Sequence, residues 1–115
     1  MDSNKNEIWL EAARSPGDFA GVLEFDGETC YFYLCEIAGE DDRKIVEAIH
    51  VTSKKPDFGE TDLEIRWSDN EAIVGLFIRS RLWAAFDTKS RSKYGGNYHS
   101  NALPVIPDRI AAVFN

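Results

Sequence analysis

Nucleophilic chemistry in this chain would have to come from Cys30 or Cys35 working with His50. A cysteine attacks as its thiolate, and a neighbouring imidazole is a common means of lowering its pKa. His50 stands between Ile49 and Val51 in a strand-like run, so a structural ring with satisfied nitrogens is the expectation. Both cysteines are expected to be small buried apolar residues. On one strand they would lie about 16 Å apart at ~3.3 Å per residue, on opposite faces, which is beyond the ~7 Å that a disulfide spans. Two cysteines without other Cys or His at ligand spacing make a poor zinc site, and no metal or other cofactor is expected.

Carboxylates are the second candidate. Glu40, Asp41 and Asp42 run together, and Asp57, Glu60, Asp62 and Glu64 form another group. Acid/base catalysis needs two carboxyl groups whose surroundings push their pKa values apart, and the sequence places no aromatic pocket beside either group. The alternating acidic ligands, central Gly and closing Glu of a calcium loop are absent. A solvated surface is the plain reading of these residues, and docking of a basic partner is the functional one.

The third candidate is basic. Lys89, Arg91 and Lys93 lead into Tyr94 and Tyr98, with Arg79 and Arg81 upstream. Cations interleaved with aromatics have the composition of a surface for single-stranded nucleic acid. The overall pI ≈ 4.7 argues against it, because such domains are usually basic throughout. A flexible polar loop is the favoured reading. Gly95-Gly96 does not pass from a strand into a helix of phosphate-binding type, so it is not a dinucleotide fingerprint.

Charge is segregated along the chain. Residues 1–78 carry 7 Lys+Arg against 18 Asp+Glu, net −11, while residues 79–115 carry 6 against 2, net +4, which together make the overall −7. Such a surface favours a charged macromolecular partner over a small neutral ligand.

The elements that must position these residues read as strands. At 115 residues, with 43% hydrophobic and 29% charged side chains, the chain has the size and composition of one folded domain, 1–115. Residues 1–6 are expected to be disordered. The start, MDSNKNEIWL, does not read as a secretory signal, and the longest apolar run, Ala72 to Ile78, is far short of the ~18 residues that cross a bilayer. A cytoplasmic location and no membrane partner follow as expectations. Phe19–Phe25 and Thr29–Ile37 flank Asp26-Gly27, which suits a two-residue hairpin turn with positive φ at both centres. The second arm is apolar on both faces. Leu63, Ile65 and Trp67 alternate with Glu64 and Arg66, as on a strand with one wet face. Residues 72–79 and 81–87 predict a second hairpin around Ser80. Residues 45–52 fit a strand or a helical stripe, with strand preferred, and 7–14 fit either a short helix or the first strand. Residues 88–103 read as a long surface loop, and Pro107 opens a short terminal helix. The expected fold is mainly β: an antiparallel sandwich or partly open barrel of about six to seven strands, with one or two short helices.

GETCYFYLCEI at 27–37, IVEAIHV at 45–51 and IRWSDNEAIVGLFIRSRLWAAFD at 65–87 resemble a bacterial family of small proteins, domain of unknown function 2251. The likeness covers most of residues 22–88. It departs at Cys30, where the pattern has Gly, and at Arg79-Ser80, where it has the better turn Asn-Gly. The matched positions are packing and turn residues, so the resemblance implies a compact β-rich bacterial protein and supplies no activity.

Size, acidity and the lack of catalytic motifs suggest a non-enzymatic binding protein, of the kind that neutralises a cationic, nuclease-type toxin by covering its active site. Its expected partner-binding residues are Glu40, Asp41, Asp42, Asp57, Glu60, Asp62 and Glu64. The alternatives are a single-stranded nucleic-acid module using Arg79, Arg81, Lys89, Arg91, Lys93, Tyr94 and Tyr98, and a ligand-binding protein or enzyme with Tyr31, Tyr33, Trp67 or Trp83 around a pocket. A homodimer through a sheet edge or apolar patch is a further expectation.

Overall fold

The computed structural model describes residues 7–39, 42–53, 56–99 and 101–114. Glu40, Asp41 and the expected disorder of 1–6 lie outside them. Among the described residues eight strands form two antiparallel four-stranded sheets, each a simple meander. The first contains β1 (Ile8–Ala13), β2 (Phe19–Phe25), β3 (Cys30–Gly39) and β4 (Asp42–Thr52) in that order. The second contains β5 (Leu63–Trp67), β6 (Ile73–Ile78), β7 (Arg81–Asp87) and β8 (Lys93–Gly95). The sheets pack as a small β-sandwich with no closed barrel.

Residues 7–14, ambiguous by propensity, contribute a strand because every residue of β1 pairs with β2. Residues 45–52 also resolve as strand. β3 and β4 change register between Leu34/Glu47 and Cys35/Ile45, leaving Val46 as an extra residue. This bulge turns Val46 onto the core while Ile45 stays 54% exposed. The broken alternation is what imitates a helical stripe.

The β2–β3 hairpin forms with a shifted turn. Asp26 flanks it, pairing its N–H with the Thr29 carbonyl, and only Gly27 has positive φ (100°). The Asp26 carboxylate accepts from the Glu28 and Thr29 amides, and these bonds lower its pKa. In the β6–β7 hairpin both Arg79 (φ 52°) and Ser80 (φ 68°) are left-handed, as a mirror-image two-residue turn requires.

Phe32 and Phe86 meet at 5.1 Å in the inter-sheet core, with Leu23, Leu34, Val74 and Leu76 fully buried around them. Gly21 is needed here, because a Cβ would lie 2.8 Å from Val74 Cγ2. The expected loop 88–103 contains β8 and then crosses between sheets: Asn97 and Tyr98 donate their amides to the carbonyls of His50 and Val51 on β4. Gly96 (φ 103°) permits the crossing, since a Cβ would come within 2.6 Å of Ile49 Cγ2. The chain ends in one helical turn, α1 (Asp108–Ala111), continued as 3₁₀ to Phe114. No helix among the described residues is long and apolar enough to cross a membrane.

Candidate functional site

The residues suspected of nucleophilic chemistry do not meet. Cys35 pairs with Ile45, whereas His50 pairs with Tyr31, four residues or about 13 Å back along β3. Both thiols are free and buried. Burial pushes Cys30 up to about 12 and raises Cys35 as well, so neither favours a thiolate. Both His50 nitrogens are engaged, Nδ1 with Asn97 Oδ1 at 3.2 Å and Nε2 with Ser53 Oγ at 2.6 Å. This is the satisfied ring expected from its flanking residues.

Asp57 and Asp62 do not stand free for a partner. The 3₁₀ turn Glu60–Asp62 holds them beside the β6–β7 turn, where Arg79 lies 3.6 Å from each carboxylate and donates to the Asp57 carbonyl at 2.5 Å. Tyr98 donates its hydroxyl to Asp57 Oδ1 at 2.6 Å and accepts from Arg79 at 3.3 Å. Its ring is held between Phe58 and Trp83, and burial, then the Asp57 hydrogen bond, raises the phenol pKa. Residues assigned from sequence to opposite-sign surfaces thus form one knot. Glu64 lies 3.7 Å from Arg66, while Asp42 and Glu60 are exposed.

The basic aromatic segment is also dispersed by the fold. Lys93 lies 3.8 Å from Glu47 and donates to the Ala48 carbonyl. Arg91 stacks on Phe19 at 5.6 Å, Tyr94 packs against the Ile73–Ala85–Ile110 cluster, and Lys89 is exposed in the turn after β7. Arg81 opens β7 and, with Arg79, Trp83, Tyr98 and His99, lines an open recess of about 230 Å³. Trp83 is buried and Trp67 half-buried, its indole donating to the Ala12 carbonyl.

The outer faces of the sheets differ. On the second sheet Ile110, Ile106 and Phe114 lie over Ile73 and Ala85, and Phe77 meets Phe114 at 5.3 Å. Gly75 makes room for this cover, because a Cβ would lie 2.9 Å from Phe114 Cζ. Nothing among the described residues covers the first sheet in this way. Its outer face consists of cross-strand rows: Trp9–Glu24–Tyr31–His50, then Glu11–Val22–Tyr33–Ala48, then Ala13–Ala20–Cys35–Ile45. An ion pair between the two edge strands, Arg43 to Glu11 at 2.8 Å, spans the small residues Ala20, Val22 and Cys35. Tyr31 stacks on Tyr33 at 5.8 Å and 5° and meets His50 edge-on. Trp9 is 55% exposed. Burial and then the Glu24 charge raise the Tyr33 phenol.

The fold also redraws the charge map. The described residues that supply the first sheet, 7–39 and 42–53, hold 9 Asp+Glu against 3 Lys+Arg, net −6, whereas those of 56–114 hold 8 against 7, net −1. The segregation read along the chain at residue 79 is instead a difference between sheets. Sequence reasoning missed the open face because its anchors, Trp9 and Glu24, sit on different strands; the exposed alternation of IWLEAA was the available signal.

The fold and this surface define a small antiparallel β-sandwich with one uncovered outer face, on the sheet that carries most of the acidic excess. The chain belongs to the family described as an uncharacterized protein conserved in bacteria (DUF2251), whose match covers residues 4–106. That span takes in the crossing after β8 as well as the three blocks around residues 22–88. No match was found among curated proteins or among solved structures.

Proposed function

We propose that this protein is a non-enzymatic acidic binding protein that neutralises a cationic, nuclease-type bacterial toxin by covering its active site. The observation that carries this reading is the net −6 of the described residues supplying the first sheet, the sheet whose outer face is uncovered. Such a field steers a basic partner to the surface, and carboxylates seated over a nucleic-acid groove would exclude its substrate. Free thiols fit a cytoplasmic location. The docking surface shifts from Asp57 and Asp62, which Arg79 already pairs, to the first sheet together with Asp42 at the start of β4. The test is affinity capture from bacterial lysate at about 50 mM and 500 mM salt, with identification of the bound species. A stoichiometric basic protein released at the higher salt is expected. Capture of an acidic or neutral protein, equally well at both, would remove the reading.

A second reading has one observation behind it. Arg81 makes no ion pair with any described residue, and it lines the 230 Å³ recess with Arg79 and His99. A single-stranded oligonucleotide would bind there with strong salt dependence. Absence of any titration shift at Arg81 or His99 at about 50 mM salt would discard it.

A further inference from the structure

We infer that the row Trp9–Glu24–Tyr31, at one end of the open face, receives an arginine side chain of a basic protein partner. This rests on the acidic-binding reading above and assigns its anchor. The three residues are direct cross-strand neighbours on β1, β2 and β3, with Glu24 in the middle. Neighbouring strands lie ~4.8 Å apart, so a guanidinium paired with the Glu24 carboxylate comes within the ~6 Å at which a cation engages an aromatic face on either side. Trp9 is 55% exposed, while stacking on Tyr33 and the edge-on contact with His50 hold Tyr31 in place. An open recess of about 330 Å³, lined by Glu7, Trp9, Glu24 and Asp26, adjoins the row and adds two carboxylates.

The molecule twice fills such an arrangement with its own arginine. Arg14 lies 5.0 Å over Phe19 and 5.7 Å over Trp67 while bonding Asp18 at 2.7 Å. Arg66 lies 4.0 Å over Phe77 and 3.7 Å from Glu64. The third set has aromatics and a carboxylate but no cation among the described residues: the Glu24 carboxylate makes no side-chain hydrogen bond or ion pair with any of them, and Arg43 is engaged with Glu11. A second copy of this chain is a poor occupant by the same face, since it would set Glu24 and the recess carboxylates Glu7 and Asp26 against their own counterparts. An arginine suits the row better than a lysine because its planar fork pairs with a carboxylate while stacking on a ring.

The test is a titration of the isotope-labelled full chain with a hexaarginine peptide at about 50 mM salt, followed by two-dimensional NMR, with a hexaglutamate control. Shifts are expected to converge on the Trp9 indole and the Glu24 and Tyr31 amides. Glu24→Gln should weaken binding about tenfold, and Trp9→Leu should do so independently, whereas Asp57→Asn should leave it unchanged. Saturable binding with shifts confined elsewhere, for instance at the exposed Leu103 and Val105, would overturn the site while leaving the acidic-binding reading standing. Failure of the peptide to bind at all would overturn both. The same shifts appearing on concentration of the protein alone would assign the face to self-association and overturn the inference.

Discussion

The two sheets have four strands each and opposite treatments of their outer faces. The second sheet buries every residue of β6, because the chain's own end folds back and lays Ile110 and Phe114 on it. The first sheet has an equally apolar centre on its outer side, Ala20, Val22 and Cys35, but among the described residues it is roofed by the Glu11–Arg43 pair, Tyr33 and Ile37. One face is finished within the chain, and the other is left as surface together with most of the acidic excess. The contrast teaches that exposed aromatics on the first sheet are a property of the surface, whereas those on the second are core.

The largest effect should come from uncovering the finished face. Ile110 is 2% exposed, and Ile110→Ala is expected to cost about 2–4 kcal/mol in urea unfolding. A cost near zero would mean that the terminal segment does not cover the sheet. Second in size is a pH effect at the inner side of the first sheet. The unfolded chain ionises the Cys30 thiol near pH 8.5, but the folded one does so only at about 12, so this contribution is whole at pH 7 and lost as pH rises across that window. The stability gap between wild type and Cys30→Ala should therefore narrow by about 2 kcal/mol between pH 7 and about 10. A gap independent of pH would place that thiol in contact with water.

A smaller gain should come from the tip of the second sheet's central hairpin. Ser80 has φ 68°, a region that costs a side-chain-bearing residue ~1 kcal/mol or more. Ser80→Gly is expected to raise stability by about 0.5–1 kcal/mol, net of the freedom that glycine adds to the unfolded chain. A loss on substitution would show that the hydroxyl is used. The smallest effect is expected on the open face: Trp9→Ala should change stability by less than about 1 kcal/mol, since the indole is 55% exposed. A cost as large as that of Ile110→Ala would erase the distinction between the faces.

Much of the fold was legible because it follows from local period and turn chemistry. The arm Thr29–Ile37 read as apolar on both faces, and the hairpin around Ser80 was expected despite its poor turn residues. The segment after Asp87 was not legible, because its order comes from contacts distant in sequence: Tyr98 is fixed by Phe58, Trp83 and Asp57, and the Gly95-Gly96 pair serves a crossing between sheets. The charge pattern was visible but misplaced, since Arg79 lies 17 positions from Asp62 and yet 3.6 Å from it.

By itself the sequence determined the β-rich class, the two central hairpins and the overall acidity, because alternation, β-branching and net charge act over a few residues or over none. Tertiary structure alone decided which acids are free and which are paired, and which of two apolar faces is covered. Those outcomes depend on strands brought into register and on a terminal segment folding back, and neither is written in any short stretch of the chain.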